Sequence, residues 1–289
     1  STGRIGVRLP MSKITSGIRD AATDVKEELD GAMAFQEAIL TSDTCTKSCS
    51  AKIETSAGEI TVGGVVKGAG MIEPNMATML AFLTTDASVS NPFLQDTLAQ
   101  AVNRSFNRIT IDGDMSTNDS VLMMANGASG LSIEKERESV RIEFAKAVDA
   151  VCACLARKCV CDGEKVTKFV QVRVAGAPDD LAAEKVARAV ANSLLVKSSW
   201  YGSDPNWGRV VDAAGYAKVG LDIDKLDMQY DEVPALIKGE PVQENKGKWK
   251  EIVSGKQFVI GLDLNLGSGA CEIWSNDLSE EYVDFNKSE

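Results

Sequence analysis

The stretch KGAGMIEPNMATMLAFLTTD, residues 67–86, joins a glycine-rich turn to a compact apolar run. The turn is Gly68-Ala69-Gly70, and a short segment leads from it to Thr78. Residues 79–83 are all apolar and are followed by Thr84-Thr85-Asp86. Five apolar residues between turn and polar residues predict a buried strand. Thr78 therefore lies where a loop joins a strand, either as an ordinary strand-edge threonine or as a hydroxyl held in a fixed place.

The chain contains no histidine. This excludes a Ser-His-Asp triad, a Cys-His pair and any histidine-ligated metal site within it. If Thr78 is a nucleophile, its base must be a lysine, a carboxylate or the free amine of an N-terminal threonine. The last alternative requires cleavage of the bond before Thr78. A free α-amino group, with a pKa of roughly 7.7–8.0, could then act as a general base.

This stretch closely resembles the self-cleaving segment of the ornithine acetyltransferases, the bifunctional glutamate N-acetyltransferases of arginine biosynthesis. Further stretches resemble motifs of the same family in the same order, namely STGRIGVRLPM, AILTSDT, DGDMSTNDSVLMMANG, CDGEKVTKFV, GSDPNWGRVVDAAGYA and EYVDFN. Together they cover nearly the whole chain. Several long motifs in register are far more specific than one short pattern, so the chain is identified as a member of this family.

The resemblance implies a layered α-β-β-α sandwich of mixed α/β class, similar to N-terminal nucleophile folds. Strands that alternate with amphipathic helices along the sequence are compatible with it. Cleavage between Ala77 and Thr78 would give an α chain of residues 1–77 and a β chain of residues 78–289, two of each forming a heterotetramer. Family members are longer at both ends. We therefore expect the chain to be N-terminally incomplete and to lack their terminal serine or threonine.

The family's activity is acetyl transfer from N-acetylornithine to glutamate in two half-reactions. By resemblance, Thr78 attacks the acetyl carbonyl with its own amine as the base, and ornithine leaves. Thr2 and Gly3 match the oxyanion hole, whose donors stabilise charge that develops only in the transition state. Glutamate then takes the acetyl group from the acetyl-enzyme. No metal or organic cofactor is expected, and acetyl-CoA as an alternative donor stays open.

Four further residues match substrate contacts of the family, together with Thr78: Thr41, Lys67, Glu164 and Asn286. From residue type alone, the first three would be a turn hydroxyl, a solvated lysine and a loop acid. An ammonium can pair with the carboxylate of an amino acid, and Glu164 suits an α-amino group. Because both substrates share this skeleton, one pocket can serve each in turn.

Two functions of other classes remain open. A related self-cleaving fold works as an aminopeptidase or amidohydrolase, in which water instead of glutamate would release the acyl group from Thr78. The other is a non-enzymatic homologue kept for an interaction or structural role. An intact bond between Ala77 and Thr78 in the mature protein would favour that homologue.

Composition restricts the partners and the compartment. A net charge of −11 argues against nonspecific binding to nucleic acid or anionic membranes. No apolar stretch reaches the roughly 18 residues of a membrane span. We expect a cytoplasmic protein, or a mitochondrial or plastid one in a eukaryote.

Four of the seven cysteines cluster near the end of a helical pattern, at Cys152, Cys154, Cys159 and Cys161. One residue separates the members of each pair, whereas zinc sites have two to four. We therefore predict free thiols in a reducing compartment.

Other segments are predicted only as structure. Residues 53–66 are predicted as two strands separated by a bulge or turn at their glycines. The acidic loop 112–119 lacks the length and closing glutamate of an EF-hand and is predicted as a turn with local hydrogen bonds. Residues 224–256 are predicted as exposed connections. Residues 257–264 and 270–274 are predicted as a pair of antiparallel strands joined directly.

Overall fold

The computed structural model describes residues 6–73 and 79–287, which form two β-sheets with helices packed on them. The strands are β1 (Lys47–Thr55), β2 (Gly58–Lys67), β3 (Leu80–Thr85), β4 (Ser120–Ala125), β5 (Phe169–Ala177), β6 (Asp227–Tyr230), β7 (Val233–Ile237), β8 (Glu240–Pro241), β9 (Gln257–Asp263) and β10 (Gly269–Asn276). The helices are α1 (Met11–Thr23), α2 (Leu29–Ala38), α3 (Asn91–Arg104), α4 (Glu138–Cys161), α5 (Asp180–Asn192), α6 (Leu194–Tyr201), α7 (Trp207–Gly215), α8 (Lys246–Ser254) and α9 (Glu280–Asn286).

The first sheet has the order β1-β2-β3-β4. β1 and β2 form a hairpin, β3 is antiparallel to β2, and β4 is parallel to β3. α4 packs against β1 and β2, and α3 packs against α4. Ala81 and Leu83 of β3 are fully buried, so the strand predicted after Thr78 is present. Since β3 lies between two partners, the chain that leaves the predicted cleavage site enters a rigid part of the molecule.

The predicted interruption at Gly63 and Gly64 is wrong. β2 pairs without a break with both β1 and β3 through these positions. A Cβ atom on Gly64 would lie 2.9 Å from Leu155 Cδ1 and 3.1 Å from Leu83 Cγ. Gly64 is therefore needed because α4 approaches the sheet closely at this point.

The second sheet has the order β10-β5-β9-β6-β7-β8. The direct pairing predicted between β9 and β10 is wrong, because β5 lies between them, parallel to β9 and antiparallel to β10. After β9, the N–H groups of Leu264 and Leu266 donate to Ala175 O at 2.9 Å and Gly176 O at 2.7 Å. The connection thus crosses the end of β5 instead of folding back on β9. α5 packs against β5 and β10.

The prediction that residues 224–256 are exposed connections is also wrong, since they form β6, β7, β8 and α8. Leu226, Met228 and Tyr230 alternate at the period of a strand and are buried. Trp249 of α8 is 1% exposed, and its Nε1–H donates to Pro234 O at 2.9 Å. The segment is rich in lysine and glutamate, so its few apolar residues that pack in the core give only a weak pattern in the sequence.

The two halves meet through α4, which packs against β10, and through a short bridge between Ile109 and Trp274. Next to this bridge, Ile111 N–H donates to Ile72 O at 2.7 Å and so ties it to the glycine-rich turn. The mixed α/β class is confirmed, and the arrangement is compatible with the predicted layered sandwich. No helix within residues 6–73 and 79–287 has the length and apolar character needed to cross a membrane.

Gly64→Ala should lower the free energy of unfolding by about 1–3 kcal/mol, because the added methyl overpacks the contact with α4. Gly63→Ala is the matched control, since its Cβ would meet nothing nearer than 4.0 Å. Urea unfolding of both variants measures the difference. Equal midpoints for the two would contradict the role given to Gly64.

Candidate active site

A cavity of about 620 Å³ opens beside the glycine-rich turn. It lies where the ends of β2 and α4 meet α9, which brings together segments far apart in the sequence. Its lining includes the four predicted substrate contacts Thr41, Lys67, Glu164 and Asn286. The remaining lining residues are Ser42, Ala69, Gly70, Met71, Asp112, Asp114, Met115, Tyr282 and Phe285.

The other predicted site residues, Thr2, Gly3, Ala77 and Thr78, lie outside the described residues. Their roles stay predictions. The nearest paired strand residue after them is described: Leu80 of β3 pairs with Lys67 of β2.

Lys67 is the last residue of β2, and it is only 4% exposed. Its Nζ donates to Thr41 Oγ1 at 2.7 Å. Burial lowers the pKa of Lys67, while the negative charge of Asp43 acts in the opposite direction. No ion pair between described residues uses Lys67, so its ammonium can pair with a carboxylate that enters the cavity.

Glu164 follows α4 and lies against the glycine-rich turn. Its N–H donates to Ala69 O at 2.8 Å, and its Oε2 accepts from Asn286 Nδ2 at 2.9 Å. Asn286 Nδ2 also donates to Tyr282 O at 3.1 Å, within α9. A Cβ on Gly70 would lie 2.5 Å from Glu164 Cδ. Glycine at position 70 therefore leaves the space that the carboxylate occupies.

A buried group of three charges positions these segments. Lys47 Nζ lies 2.6 Å from Asp43 Oδ1 and 2.5 Å from Asp162 Oδ2, and none of the three side chains is more than 9% exposed. Asp43 Oδ1 also accepts from Gly68 N–H at 2.6 Å, and Asp162 Oδ2 accepts from Thr44 N–H at 3.0 Å. One ammonium thus fixes the loop that holds Thr41, the glycine-rich turn and the end of α4.

The pKa values of Asp43 and Lys47 shift in opposite directions. Burial alone would raise the pKa of Asp43, but hydrogen bonds from Lys47 and Gly68 lower it below its usual value. Burial also disfavours the charge of Lys47, yet hydrogen bonds to Asp162 and Asp43 raise the pKa of Lys47. The lowered pKa of Asp43 and the raised pKa of Lys47 both favour the charged forms of this pair.

Asp112 is a residue that sequence reasoning did not assign to the site. Its carboxylate accepts from Met71 N–H at 2.6 Å and Ile72 N–H at 3.0 Å, and Tyr282 OH donates to it at 3.4 Å. The predicted local hydrogen bonds of this loop are present, one of them from Asp114 N–H to Asp112 Oδ1 at 3.3 Å. In the described part of the chain, no cluster of three or more Cys, His, Asp or Glu side chains could hold a metal ion.

The described residues on either side of the predicted cleavage site are both anchored. Before it, Glu73 Oε1 accepts from Arg188 at 2.9 Å and Oε2 accepts from Asn192 at 3.0 Å. After it, Met79 N–H donates to Asp119 Oδ1 at 2.5 Å. Glu73 and Met79, which flank positions 74–78 in the sequence, are thus both held by side chains from distant segments.

Lys47→Met should lower the free energy of unfolding by about 3–5 kcal/mol at about pH 7, because it leaves two buried carboxylates without their cation. The lowered pKa of Asp43 means that its contribution is present above the ordinary carboxyl pKa and is lost as pH falls through the lowered value. The contribution of Lys47, whose pKa is raised, is lost only in strongly alkaline solution. The difference between variant and native protein should therefore shrink towards about pH 4, where unpaired carboxyls protonate.

Urea unfolding at both pH values measures this, with Lys52→Met as the control. Lys52 forms an ion pair with Glu59 whose two side chains are 65% and 46% exposed, and its loss should cost less than about 1 kcal/mol. A loss of similar size for both variants would contradict the anchoring role of Lys47.

The chain is similar to known proteins over almost its whole length. The family model described as the ArgJ family matches residues 1–288. The arginine biosynthesis bifunctional protein ArgJ of Thermotoga neapolitana is 44% identical over 290 residues, which cover 99% of this chain and 72% of the relative. The protein of the same name from Symbiobacterium thermophilum is 42% identical over 288 residues, covering 100% of this chain and 71% of the relative.

A crystal structure of arginine biosynthesis bifunctional protein ArgJ from Bacillus halodurans aligns with a TM-score of 0.68 at 35% identity. The alignment covers 72% of this chain and 98% of that chain. The family match extends over almost all of the sequence, as the motifs predicted, and the chain belongs to the ArgJ family.

Proposed function

We propose that this chain is a glutamate N-acetyltransferase of arginine biosynthesis that moves the acetyl group of N-acetylornithine to glutamate. Its membership of the ArgJ family, whose named relatives are bifunctional proteins of arginine biosynthesis, confirms the predicted enzyme class. The substrates and the catalytic residues are the proposed part. They derive from the sequence motifs and from the chemistry of the cavity.

The observation that carries the substrate proposal is the pair of opposite charges in one cavity. The buried ammonium of Lys67 and the carboxylate of Glu164 both line it. Free ornithine and glutamate each have a carboxylate for the first and an α-ammonium for the second, and in N-acetylornithine the amide N–H on the α-carbon can donate to Glu164 instead. Thr41 and Asn286 hydrogen-bond to these two side chains and orient them. Ornithine and glutamate derivatives share this skeleton, so the same contacts serve both half-reactions.

After self-cleavage between Ala77 and Thr78, the two chains would remain associated in one folded unit. β2 would end the α chain and β3 would begin the β chain, and these strands pair directly. Helix α4 of the β chain covers β1 and β2 of the α chain. The division into residues 1–77 and 78–289 therefore keeps a shared core, and two such units would form the heterotetramer.

The transfer chemistry then uses the new N-terminus. Thr78 Oγ1 attacks the acetyl carbonyl of N-acetylornithine while the α-amine of Thr78 accepts the hydroxyl proton. Thr2 and Gly3 stabilise the tetrahedral oxyanion. Collapse of this intermediate passes the proton to the departing ornithine nitrogen. The amine of glutamate then attacks the acetyl-threonine and restores the free hydroxyl.

Thr78→Ala should leave a single uncut chain, whereas the full-length protein should separate under denaturing conditions into two fragments. The mass of the first fragment should place its end at Ala77, because the hydroxyl of Thr78 is the proposed nucleophile of cleavage. Intact-mass measurement gives the result, with Thr84→Ala as the control for loss of a threonine on the exposed side of β3. If all three proteins stayed uncut, Thr78 would have no free α-amine, and the proposed transfer would lack its base.

The same preparations distinguish the reaction classes. N-acetylornithine with glutamate should give ornithine and N-acetylglutamate in equal amounts. Release of acetate at the same rate without glutamate would indicate a hydrolase instead. Replacing N-acetylornithine by acetyl-CoA tests the second donor directly.

Glu164→Gln should raise the KM for both amino-acid substrates by about 10- to 100-fold, because the carboxylate that accepts a hydrogen bond from the α-nitrogen, an amide N–H in N-acetylornithine and an amine in glutamate, is lost. Self-cleavage should proceed as in the native protein, since Glu164 is assigned to substrate binding. Steady-state kinetics with each substrate varied in turn provide the measurement. Glu59→Gln, at an exposed ion pair, is the control. A loss confined to kcat, or a loss of cleavage, would count against the assignment.

A further inference from the structure

Self-cleavage poses a problem of proton transfer that the mature enzyme does not have. Before the bond between Ala77 and Thr78 is cut, the nitrogen of Thr78 belongs to a peptide bond and cannot accept a proton. The chain has no histidine. The hydroxyl of Thr78 must therefore give its proton to a lysine or a carboxylate near the cleavage site.

The charged side chains near the flanks of the cleavage segment differ in whether their polar atoms already have hydrogen-bond partners. Both carboxylate oxygens of Glu73 accept hydrogen bonds, from Arg188 and Asn192. Both oxygens of Asp112 accept backbone N–H groups. Lys67 donates to Thr41, and its pKa is lowered by burial. These groups already have structural partners.

Asp119 differs from them. Its Oδ1 accepts from Met79 N–H at 2.5 Å, and its Oδ2 is buried with no hydrogen-bond partner among the described residues. The peptide bond that donates this hydrogen joins Thr78 to Met79. The carboxylate is thus fixed to the backbone N–H of the residue that follows Thr78 in the sequence. A buried carboxylate oxygen without a donor is costly, and such groups usually serve a purpose.

The backbone holds this arrangement on both sides of Met79. Ser120, the neighbour of Asp119, donates its N–H to Met79 O at 3.0 Å. Leu80 then pairs with both Lys67 and Ser120 at the start of β3. Since both polar backbone groups of Met79 are bound by consecutive residues, the carboxylate and Met79 keep one relative position.

The electrostatic environment suits a base. Burial raises the pKa of Asp119 to about 7, although the Met79 N–H and the charge of Lys67 act to lower it. A base whose pKa lies near the working pH is present in its basic form and still accepts a proton readily. Lys67, at the end of β2, is the charged side chain of the described residues that acts on this carboxylate.

We propose that Asp119 is the base of the self-cleavage step. This inference rests on the proposed function, in which Thr78 is the nucleophile. Asp119 Oδ2 accepts the hydroxyl proton as Thr78 Oγ1 bonds to the carbonyl carbon of Ala77. The bond from that carbon to the Thr78 nitrogen then breaks, and the proton passes from Asp119 to the nitrogen. Water hydrolyses the resulting ester, which frees the Ala77 carboxylate and the Thr78 hydroxyl.

Asp119→Asn is the decisive variant, because its amide oxygen can keep the hydrogen bond from Met79 N–H while the base is lost. The full-length protein is made by cell-free translation, synthesis is stopped, and the uncut fraction is followed by mass under denaturing conditions. Cleavage should be about 100-fold slower or more. Asp119→Glu, which keeps a carboxylate, should retain more of the rate than Asp119→Asn. Asp96→Asn is the control, since Asp96 is exposed on α3 and accepts a hydrogen bond from Gln100 within its helix.

The pH dependence separates a base from a residue that only holds structure. In the native protein the cleavage rate should rise through about pH 7 as the Asp119 carboxyl loses its proton. Asp119→Asn should lack this rise, whereas any effect of Lys67 would persist in it. Urea unfolding should give Asp119→Asn a midpoint close to that of Thr78→Ala, which is also uncut and folded.

Three results would overturn the inference: cleavage of Asp119→Asn within about threefold of the native rate, the same rise with pH in both proteins, or an ester in Asp119→Asn that hydroxylamine cuts. The last would mean that the first step runs without Asp119. Cleavage in Thr78→Ala would instead refute the proposed function. The two failures are therefore distinguishable.

Discussion

The ammonium of Lys47, held between Asp43 and Asp162, is the contact on which the geometry of the candidate site depends. Burying three charges costs several kcal/mol for each ion before their attraction is counted, so such a group is weak evidence for stability. Here the group of three charges fixes the positions of the segments that it joins. Asp43 reaches the backbone of the glycine-rich turn, and Asp162 reaches the backbone of Thr44. The segments that carry three of the predicted substrate contacts are thereby fixed to one charge.

Carboxylates also shape the turn itself. The N–H of Gly68 donates to Asp43, and the N–H groups of Met71 and Ile72 donate to Asp112. Residues from two distant loops therefore satisfy the backbone donors that a tight turn leaves unpaired. The glycine-rich turn places Gly70 beside Glu164. This explains how a buried ammonium and a carboxylate can line one cavity without pairing with each other, which leaves both free for a substrate with two opposite charges.

The sequence predicted those parts of the fold whose signals are local. Strand β3 was recognisable because turn and polar residues bound its apolar run. The role of Gly64 is not local, because the glycine is needed where α4 approaches the sheet, and no neighbour in the sequence indicates that contact. The pairing of β9 with β10 failed for the same reason, since β5 inserts between them from about 90 residues earlier in the chain.

The residues of the candidate site also differ in whether the sequence could reveal them. Thr41, Lys67, Glu164 and Asn286 are ordinary by residue type, and only the resemblance to a family singled them out. The structure brings all four to one cavity, while their roles stay predictions. Lys47 and Asp162 escaped notice because they are 115 positions apart and each looks like a solvated charge. Burial and pairing turn such residues into functional ones, and both are properties of the folded chain.

Cleavage changes which group in the site can accept a proton. In the proposed scheme a carboxylate must act first, because the nitrogen of Thr78 is still an amide. Once the bond is cut, that nitrogen becomes an amine with an ordinary pKa of roughly 7.7–8.0, a stronger base than a carboxylate. In the same scheme, the negative charge of Asp119 would favour the charged form of that amine. One buried carboxylate can thus create the base of the mature enzyme and afterwards adjust its pKa. The carboxylate acts while the chain is uncut, and the amine acts after cleavage. In this scheme neither self-cleavage nor acetyl transfer needs a histidine.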